Sequence, residues 1–476
     1  MKSHVVVLVL GDIGRSPRMQ YHALSFTELK SIGKVTLVGY KGESLIVPLR
    51  TSTKLQVKYI EQPAFVQSFK GNKLLFTIMK GVGLLIALLQ LFFSLSPFQL
   101  IVIQNPPVLP ALIASLLVSL FRPFSILIDW HNLGFSMYAF SLGKDHVLTK
   151  VTRFLESTLC PLASHHITVS RAMAEYLKEN FNISAVVCHD KPASIFSTHG
   201  ISDTHRHYLL KKYDLLEENY IGHMTTHPGV FVETIQTIET VDGEIECKLG
   251  RGRVALVMSS TSWTDDEDFS LLYDAVLIIE HVLSNLCDQD KLKHYRQFNR
   301  MLVVITGKGE LKETFEQKIT LAQQQQLLGK HVFVQTAWLD TEDYPRLLQC
   351  ADLGVSLHAS TSGRDLPMKV VDMFGAGLPV CALNFPALSE LVQQEENGLI
   401  FASAKELADQ LLKVIFDIKV QGEVVKYYIN DESTMLKYMR HKIKDMERWE
   451  EHWVKTVKPI VDAIVAPLDG DHLDVD

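Results

Sequence analysis

The chain has 476 residues, 47% hydrophobic and 21% charged, which is too long for a single core and too apolar for a disordered chain. Its 47 basic and 54 acidic residues leave −7 at neutral pH, so nucleic acid is not an expected partner. Six scattered cysteines, with no Cys-x-x-Cys and no histidine at ligand spacing, argue against a zinc motif or a disulfide framework, and no metal site is expected.

In chain order, Val5–Leu10 is a short β-branched run that reaches Gly11 at once, and no secretory signal is read ahead of it. A helix near Met19–Lys30, a strand at Val35–Tyr40, an apolar helix over Gly81–Ser96 and a strand at Leu100–Gln104 follow. Next come an apolar helix over Pro106–Phe121, a strand at Ile126–Asp129, a helix across Lys150–Cys160 and a strand at Ile167–Ser170. This alternation predicts parallel strands joined by crossover helices, a first domain over residues 1–195. Gly81–Ser96 carries no charge and is shorter than the ~20 residues that span a bilayer. With Lys70, Lys73 and Lys80 just upstream, it is expected to lie in a membrane interface; packing on one face of the sheet is the alternative.

Residues 197–250 have weak periodicity and read as a variable connector. A second series runs over 251–437: strands at Val254–Met258, Leu302–Thr306, Val332–Gln335, Gly354–Leu357 and Val380–Leu383, with helices at Asp268–Ser284, Glu310–Leu328 and Tyr344–Cys350 between them. A terminal helix at about 438–465 carries Trp449 and Trp453, expected to pack back on the first domain. The predicted fold is α/β, two doubly wound domains facing a cleft lined by loops at the carboxyl ends of the strands.

Several of those loops concentrate polar chemistry. After the first strand, Asp12, Arg15, Arg18 and His22 cluster beside two glycines; the arginines suit a bidentate grip on an acceptor diphosphate, and Asp12 suits proton removal from a hydroxyl. Asp129, His131 and Asn132 end another strand, where Asp129 or His131 could act as base, and Asn105 ends the strand between and could position a sugar. In the second domain Ser260 and Thr261 open a hydroxyl-rich helix start suited to phosphate or to capping by Asp265–Asp268. Lys308 lies between two glycines, and Trp338 could stack on a base or pack in the core. The run from Ser360 to Val380 joins a small-residue loop with Ser362 and Gly363 to a helix bearing Lys369 and Asp372, a cradle for diphosphate with a carboxylate for ribose.

Taken together, GDIGRSPRMQYHA, IQNPP, IDWHN, DKPA, SSTSWTDDEDF, TGKG and SGRDLPMKVVDMFGAGLPVCA, in this order, resemble the chitobiosyldiphosphodolichol β-mannosyltransferase family over nearly the whole chain. The resemblance implies a GT-B fold of two Rossmann-like domains. It also implies inverting transfer of mannose from GDP-mannose to GlcNAc-GlcNAc-diphosphodolichol, forming a β-1,4 bond at the cytosolic face of the endoplasmic reticulum membrane, beside other dolichol-pathway glycosyltransferases. It places the base at Asp12, with His131 as competitor, acceptor contacts at Arg15, Arg18, His22, Asn105, Asp129 and Asn132, and mannose contacts at Asp365. Donor contacts fall at Ser260, Thr261, Lys308, Trp338, Ser362, Gly363, Lys369 and Asp372, with no tightly bound cofactor and at most weak stimulation by divalent ions. Related transferases of this fold often have a glutamate pair where this chain has Arg364/Asp365 and Asp372. A catalytically silent scaffold, or a transferase of the same fold for another nucleotide sugar, are the competing functions.

Overall fold

The computed structural model describes residues 2–61, 63, 65, 73–196, 203–215, 235–239, 245–249, 253–264, 267–286, 298–340, 342–416, 418–421, 424–427 and 434–465. The chain divides into two compact units. Residues up to Lys191, Arg364–Leu366 and those from Arg448 form the first; Pro192–Gly363 and Pro367–Glu447 form the second.

The first unit is built on β1 (Ser3–Asp12), β2 (Ile32–Tyr40), β3 (Leu55–Tyr59), β4 (Leu100–Asn105), β5 (Ser125–Trp130), β6 (His165–Thr168) and β7 (Val186–Val187). They pair in parallel in the order β3-β2-β1-β4-β5-β6-β7. Val5 to Val9 are all buried, as a strand covered on both faces requires, and this is why the run is continuously apolar rather than alternating. The crossovers are α1 (Pro17–Glu28), the short α2 (Val47–Arg50), α3 (Lys73–Ser94), α4 (Leu109–Ser119), α5 (Gly134–Leu142), α6 (Val147–Leu159) and α7 (Arg171–Phe181). Pro17 starts α1 where its missing N–H costs nothing, and α7 is bounded by a Ser170 side-chain cap on Met173 N (3.0 Å) and by Asn182 at φ +53°.

The helix expected to lie in a membrane is α3, eight residues longer at its start than its apolar run. Leu88 and Phe92 are completely buried in the core under β1 and β4, so that stripe of α3 is a sheet-covering face, and charge substitutions there would report on packing rather than on membrane contact. Among the described residues no helix is long and apolar enough to cross a membrane. Lys70 lies outside the described residues.

In the second unit a six-stranded parallel sheet has the order β12-β11-β10-β13-β14-β15, with β10 at Arg253–Ser260, β11 at Phe298–Thr306, β12 at Val332–Ala337, β13 at Leu353–Ser356, β14 at Val380–Leu383 and β15 at Gly398–Phe401. Two antiparallel pairs, β8 (Ile235–Glu239) with β9 (Ile245–Leu249) and β16 (Ile418–Gln421) with β17 (Val424–Tyr427), stand outside it. The supposed connector contains a helix, Asp203–Lys212, that belongs to this unit: buried Arg206 donates to Cys350 O (2.7 Å) and Val254 O (3.1 Å), and Leu209 is fully buried. The expected single terminal helix is three, Thr434–Lys444, Trp449–Thr456 and Lys458–Val465, the last restarting around Pro459.

Candidate active site

In the first unit the polar loops converge on one carboxylate. Asp129, at the end of β5, is completely buried. Its Oδ2 accepts from Arg18 Nε (2.8 Å), His22 Nε2 (3.1 Å) and His131 Nε2 (2.8 Å), and its Oδ1 accepts from Arg18 Nη2 (3.0 Å). Arg18 Nη1 donates to Asp190 Oδ1 (2.8 Å). Burial alone would raise the Asp129 carboxyl; Arg18 and His131 outweigh it and hold the group well below the ordinary carboxylate range. It is therefore ionised and accepts from whatever faces it.

The tautomer of His22 follows from its second nitrogen. Trp453 Nε1, which can only donate, reaches His22 Nδ1 at 2.9 Å, so His22 carries its proton on Nε2 and gives it to Asp129. Burial lowers the His22 pKa and keeps the ring neutral. Trp449 Nε1 donates to Ser25 Oγ (3.1 Å), and its ring lies 5.3 Å under the Arg18 guanidinium. The two tryptophans expected to pack on the first domain thus lock the shell around Asp129. His131 is the member with solvent access, at 23% side-chain exposure. With Nε2–H directed to Asp129, its Nδ1 is left as a proton acceptor.

These contacts change the roles read from sequence. Arg18 and His22 are buried and committed to Asp129, so neither is placed to grip a diphosphate; the bidentate fork closes on a carboxylate of the protein itself. Asp129 holds His131 rather than a ligand. Asp12 caps the single turn Ile13–Arg15: its oxygens accept from Gly14 N (2.9 Å) and Glu43 N (3.0 and 3.1 Å), so they are engaged by the protein's own backbone. Arg15 stays 63% exposed, with only loose pairs to Asp12 (3.9 Å) and Glu43 (3.7 Å). Asn105 is buried and donates to Asn132 O (3.1 Å), while Asn132 Oδ1 accepts from Leu133 N (2.8 Å) and Ser136 Oγ (3.2 Å) at the start of α5.

Beneath that start lies Glu156 of α6, which accepts from Gly134 N (2.9 Å) and Phe135 N (3.2 Å). Burial drives its carboxyl up from 4.5 to about 7 in spite of those donors. The folded state binds this proton more tightly than the unfolded chain does, so the stabilisation is complete below pH 4.5 and lost as pH rises through about 7. Glu156→Gln is expected to remove that decline, on the order of 3 kcal/mol across the window, in urea unfolding followed from pH 4.5 to 7.5. A decline of the same size in the variant would assign the titration elsewhere.

In the second unit the loops after β10, β11 and β12 lie side by side. Gly307, at φ +142°, lets the β11 loop close on the β10 loop, where a Cβ would stand 1.8 Å from Thr261 O. Lys308 Nζ sits 3.8 Å from the ring centroid of Trp338, which is 46% exposed; Trp338 is thus a surface platform and not a core residue. Ser260 and Thr261 are buried with internally bonded hydroxyls: Ser260 Oγ is 3.1 Å from Tyr344 Oη, and Thr261 Oγ1 donates to Glu267. Lys369, expected to be free for diphosphate, donates to Glu267 Oε1 (2.8 Å). Asp372 hydrogen-bonds Tyr344, whose hydroxyl pKa is raised by burial and by that carboxylate. Ser362 and Gly363 (φ +70°) form a half-buried turn, and Asp268 accepts from Ser270 N (2.9 Å) at the start of the helix Phe269–Leu286; Asp265 and Asp266 lie outside the described residues. Arg364 and Asp365 count with the first unit, where the Arg364 guanidinium lies 4.4 Å over the ring of Tyr176.

Glu267 is the residue that sequence reasoning passed over. It is buried and joins Thr261, Ser262 N (3.1 Å) and Lys369, tying the β10 loop to the helix Met368–Gly375. Within a run of four acids it carried no separate signal. Asp190 and Tyr344 were likewise invisible as partners, because their contacts are made at long sequence separation.

The family described as Glycosyl transferases group 1 matches residues 279–417. The chain is 37% identical to the Homo sapiens chitobiosyldiphosphodolichol beta-mannosyltransferase over 96% of this chain and 92% of that protein. It is 34% identical to the Dictyostelium discoideum protein of that name, over 96% and 93%. Identity to the Arabidopsis thaliana "UDP-glycosyltransferase TURAN" is 35%, over 98% and 99%. Among solved structures, Anabaena HepE in complex with UDP and glucose superposes with a TM-score of 0.61 at 13% identity, covering 97% of this chain and 100% of that one. WaaG, a glycosyltransferase involved in lipopolysaccharide biosynthesis, gives 0.56 at 10%, with the same coverage. These likenesses show the GT-B fold, and the family match with the curated relatives shows a glycosyltransferase.

Proposed function

The chain belongs to the chitobiosyldiphosphodolichol β-mannosyltransferase family, and from that premise we propose that it transfers mannose from GDP-mannose to GlcNAc-GlcNAc-diphosphodolichol with inversion, at the cytosolic face of the endoplasmic reticulum membrane. The near full-length identity to curated relatives carries the reading of the acceptor. For the chemistry, the observation that carries most is the partly exposed His131 with its Nε2–H held on an ionised Asp129.

In this reading the acceptor O4 attacks the anomeric carbon as the bond from that carbon to the diphosphate oxygen breaks. The electron pair leaves with GDP, and the hydroxyl proton passes to His131 Nδ1. Asp129 stabilises the imidazolium that forms, while Arg18, His22 and Trp453 keep Asp129 in place. Arg15 is the exposed cation for the acceptor diphosphate. Lys308 and the Ser362–Gly363 turn serve the leaving diphosphate, Trp338 the guanine and Asp372 the ribose. Asp365 serves the mannose hydroxyls. The reaction so described needs no tightly bound metal, and divalent ions add weak stimulation at most.

The test is transfer of labelled mannose from GDP-mannose to a GlcNAc-GlcNAc-diphosphate lipid, with β-mannosidase digestion of the product. UDP-sugars serve as control donors, since one relative is named for UDP. A β-mannosidase-sensitive product made only with GDP-mannose is expected; turnover with a UDP-sugar alone would replace the donor, and GDP binding without turnover would favour a silent scaffold.

A further inference from the structure

The α5–α6 hairpin is built inside out. On α6 the buried residues are Thr149, Thr152 and Glu156, whereas Val147, Val151 and Phe154, one stripe at i, i+4 and i+7, face solvent, Phe154 at 65% exposure. On α5 the buried positions are Gly134 and Ser136, and Met137, Phe140 and Leu142 are exposed. Helix α4 packs on α6 and is followed by exposed Leu120 and Phe121. A water-facing helix pair should show the reverse pattern, and a contiguous apolar face of this kind marks a binding surface.

We propose that this face docks on an anionic lipid bilayer. Charge selects that occupant. Lys144, Lys150 and Arg153 are exposed on or between the two helices, while the acids of Gly134–Leu159 are Asp145, which pairs with Lys150 Nζ at 3.0 Å, and the buried Glu156, so the segment keeps a surplus of exposed cations. Anionic headgroups match that excess of cations beside an apolar stripe, as for helices lying in a bilayer interface. A self-complementary contact with a second copy would set cations against cations with little acid to meet them. Position agrees with the lipid-linked acceptor on whose assignment this inference rests: α5 begins three residues after His131, so the docking helices continue directly from the strand end that carries the base. The stripe of α3 that covers the sheet is not the membrane face.

The full-length protein is floated with phosphatidylcholine vesicles with and without phosphatidylserine. Phe140→Glu/Phe154→Glu is expected to lower binding to both by about tenfold or more, with the melting temperature and turnover on a water-soluble diphosphate acceptor unchanged. Lys144→Glu/Lys150→Glu is expected to abolish the gain from phosphatidylserine, roughly fivefold per cation, and to spare binding to phosphatidylcholine alone. Flotation unchanged by the phenylalanine pair, or a wild-type protein that does not float, overturns the proposal. So does a wild-type dimer, seen by light scattering, that the pair converts to monomer without altering flotation; this would assign the face to a second copy. Loss of flotation in the variant together with a wild-type protein inert on soluble acceptor would leave the docking surface standing and remove the proposed activity.

Discussion

His131→Ala is expected to lower the turnover number by roughly 10²–10⁴-fold, the range for loss of a positioned general base, with little change in thermal stability. The expectation rests on asymmetry within the Asp129 cluster. Arg18 and His22 are sealed in the protein, whereas His131 combines access to solvent with a fixed ring orientation. Removing it deletes one hydrogen bond to Asp129, which keeps Arg18 and His22 as donors, so folding survives. Because the residues assigned to the GDP part of the donor, Lys308, Trp338, the Ser362–Gly363 turn and Asp372, lie in the second unit, KM for GDP-mannose should hardly move while kcat falls. Steady-state kinetics beside Asp12→Asn decides the assignment. Near wild-type kcat in His131→Ala with a collapse in Asp12→Asn would transfer the role of base to Asp12, despite its contacts to the backbone N–H groups of Gly14 and Glu43.

Arg18→Met should cost about 3–5 kcal/mol of stability, the penalty for stranding buried charge. Two carboxylates, Asp129 and Asp190, would lose the guanidinium that both face at 2.8 Å, and Trp449 would lose the cation over its ring. The pH dependence has a definite sign. In the native protein the Asp129 carboxyl is held well below its ordinary 3.8, so its contribution is full above that value and disappears as pH falls further. Without Arg18 the buried carboxyl takes up a proton more readily, and the difference between variant and wild type should shrink in acid. Urea unfolding at pH 7 and pH 4 measures this. A loss below about 1 kcal/mol at neutral pH would mean that the ion pairs only balance their own desolvation.

Much of the first unit was legible because its signals are local. A parallel strand buried on both faces must be a continuous apolar run, and polar residues directly after it must lie at the strand's carboxyl end; Asp12, Asp129, His131, Ser260 and Lys308 could be assigned to such ends from the sequence. The same locality misled for α3. An uncharged run of sixteen residues suits a membrane interface as well as a sheet face, and only the packing of Leu88 and Phe92 distinguishes them. The opposite error befell α5 and α6: with Thr149, Thr152 and Glu156 inside, no periodicity argument could identify their exposed apolar residues as a surface.

By itself, then, the sequence determined the α/β class, two series of parallel strands, the loops that bear chemistry and, through its combined motifs, the family. The tertiary structure alone decided what each polar group does. Arg18 and Asp129 lie 111 residues apart, and His22 and Trp453 lie 431 apart. The charge on Asp129, the tautomer of His22 and the commitment of Lys369 to Glu267 depend on which partner arrives at hydrogen-bond distance. An arginine has the same fork whether it closes on a ligand's phosphate or on a buried aspartate; burial and the nearest acceptor select between them, and both are properties of the folded chain.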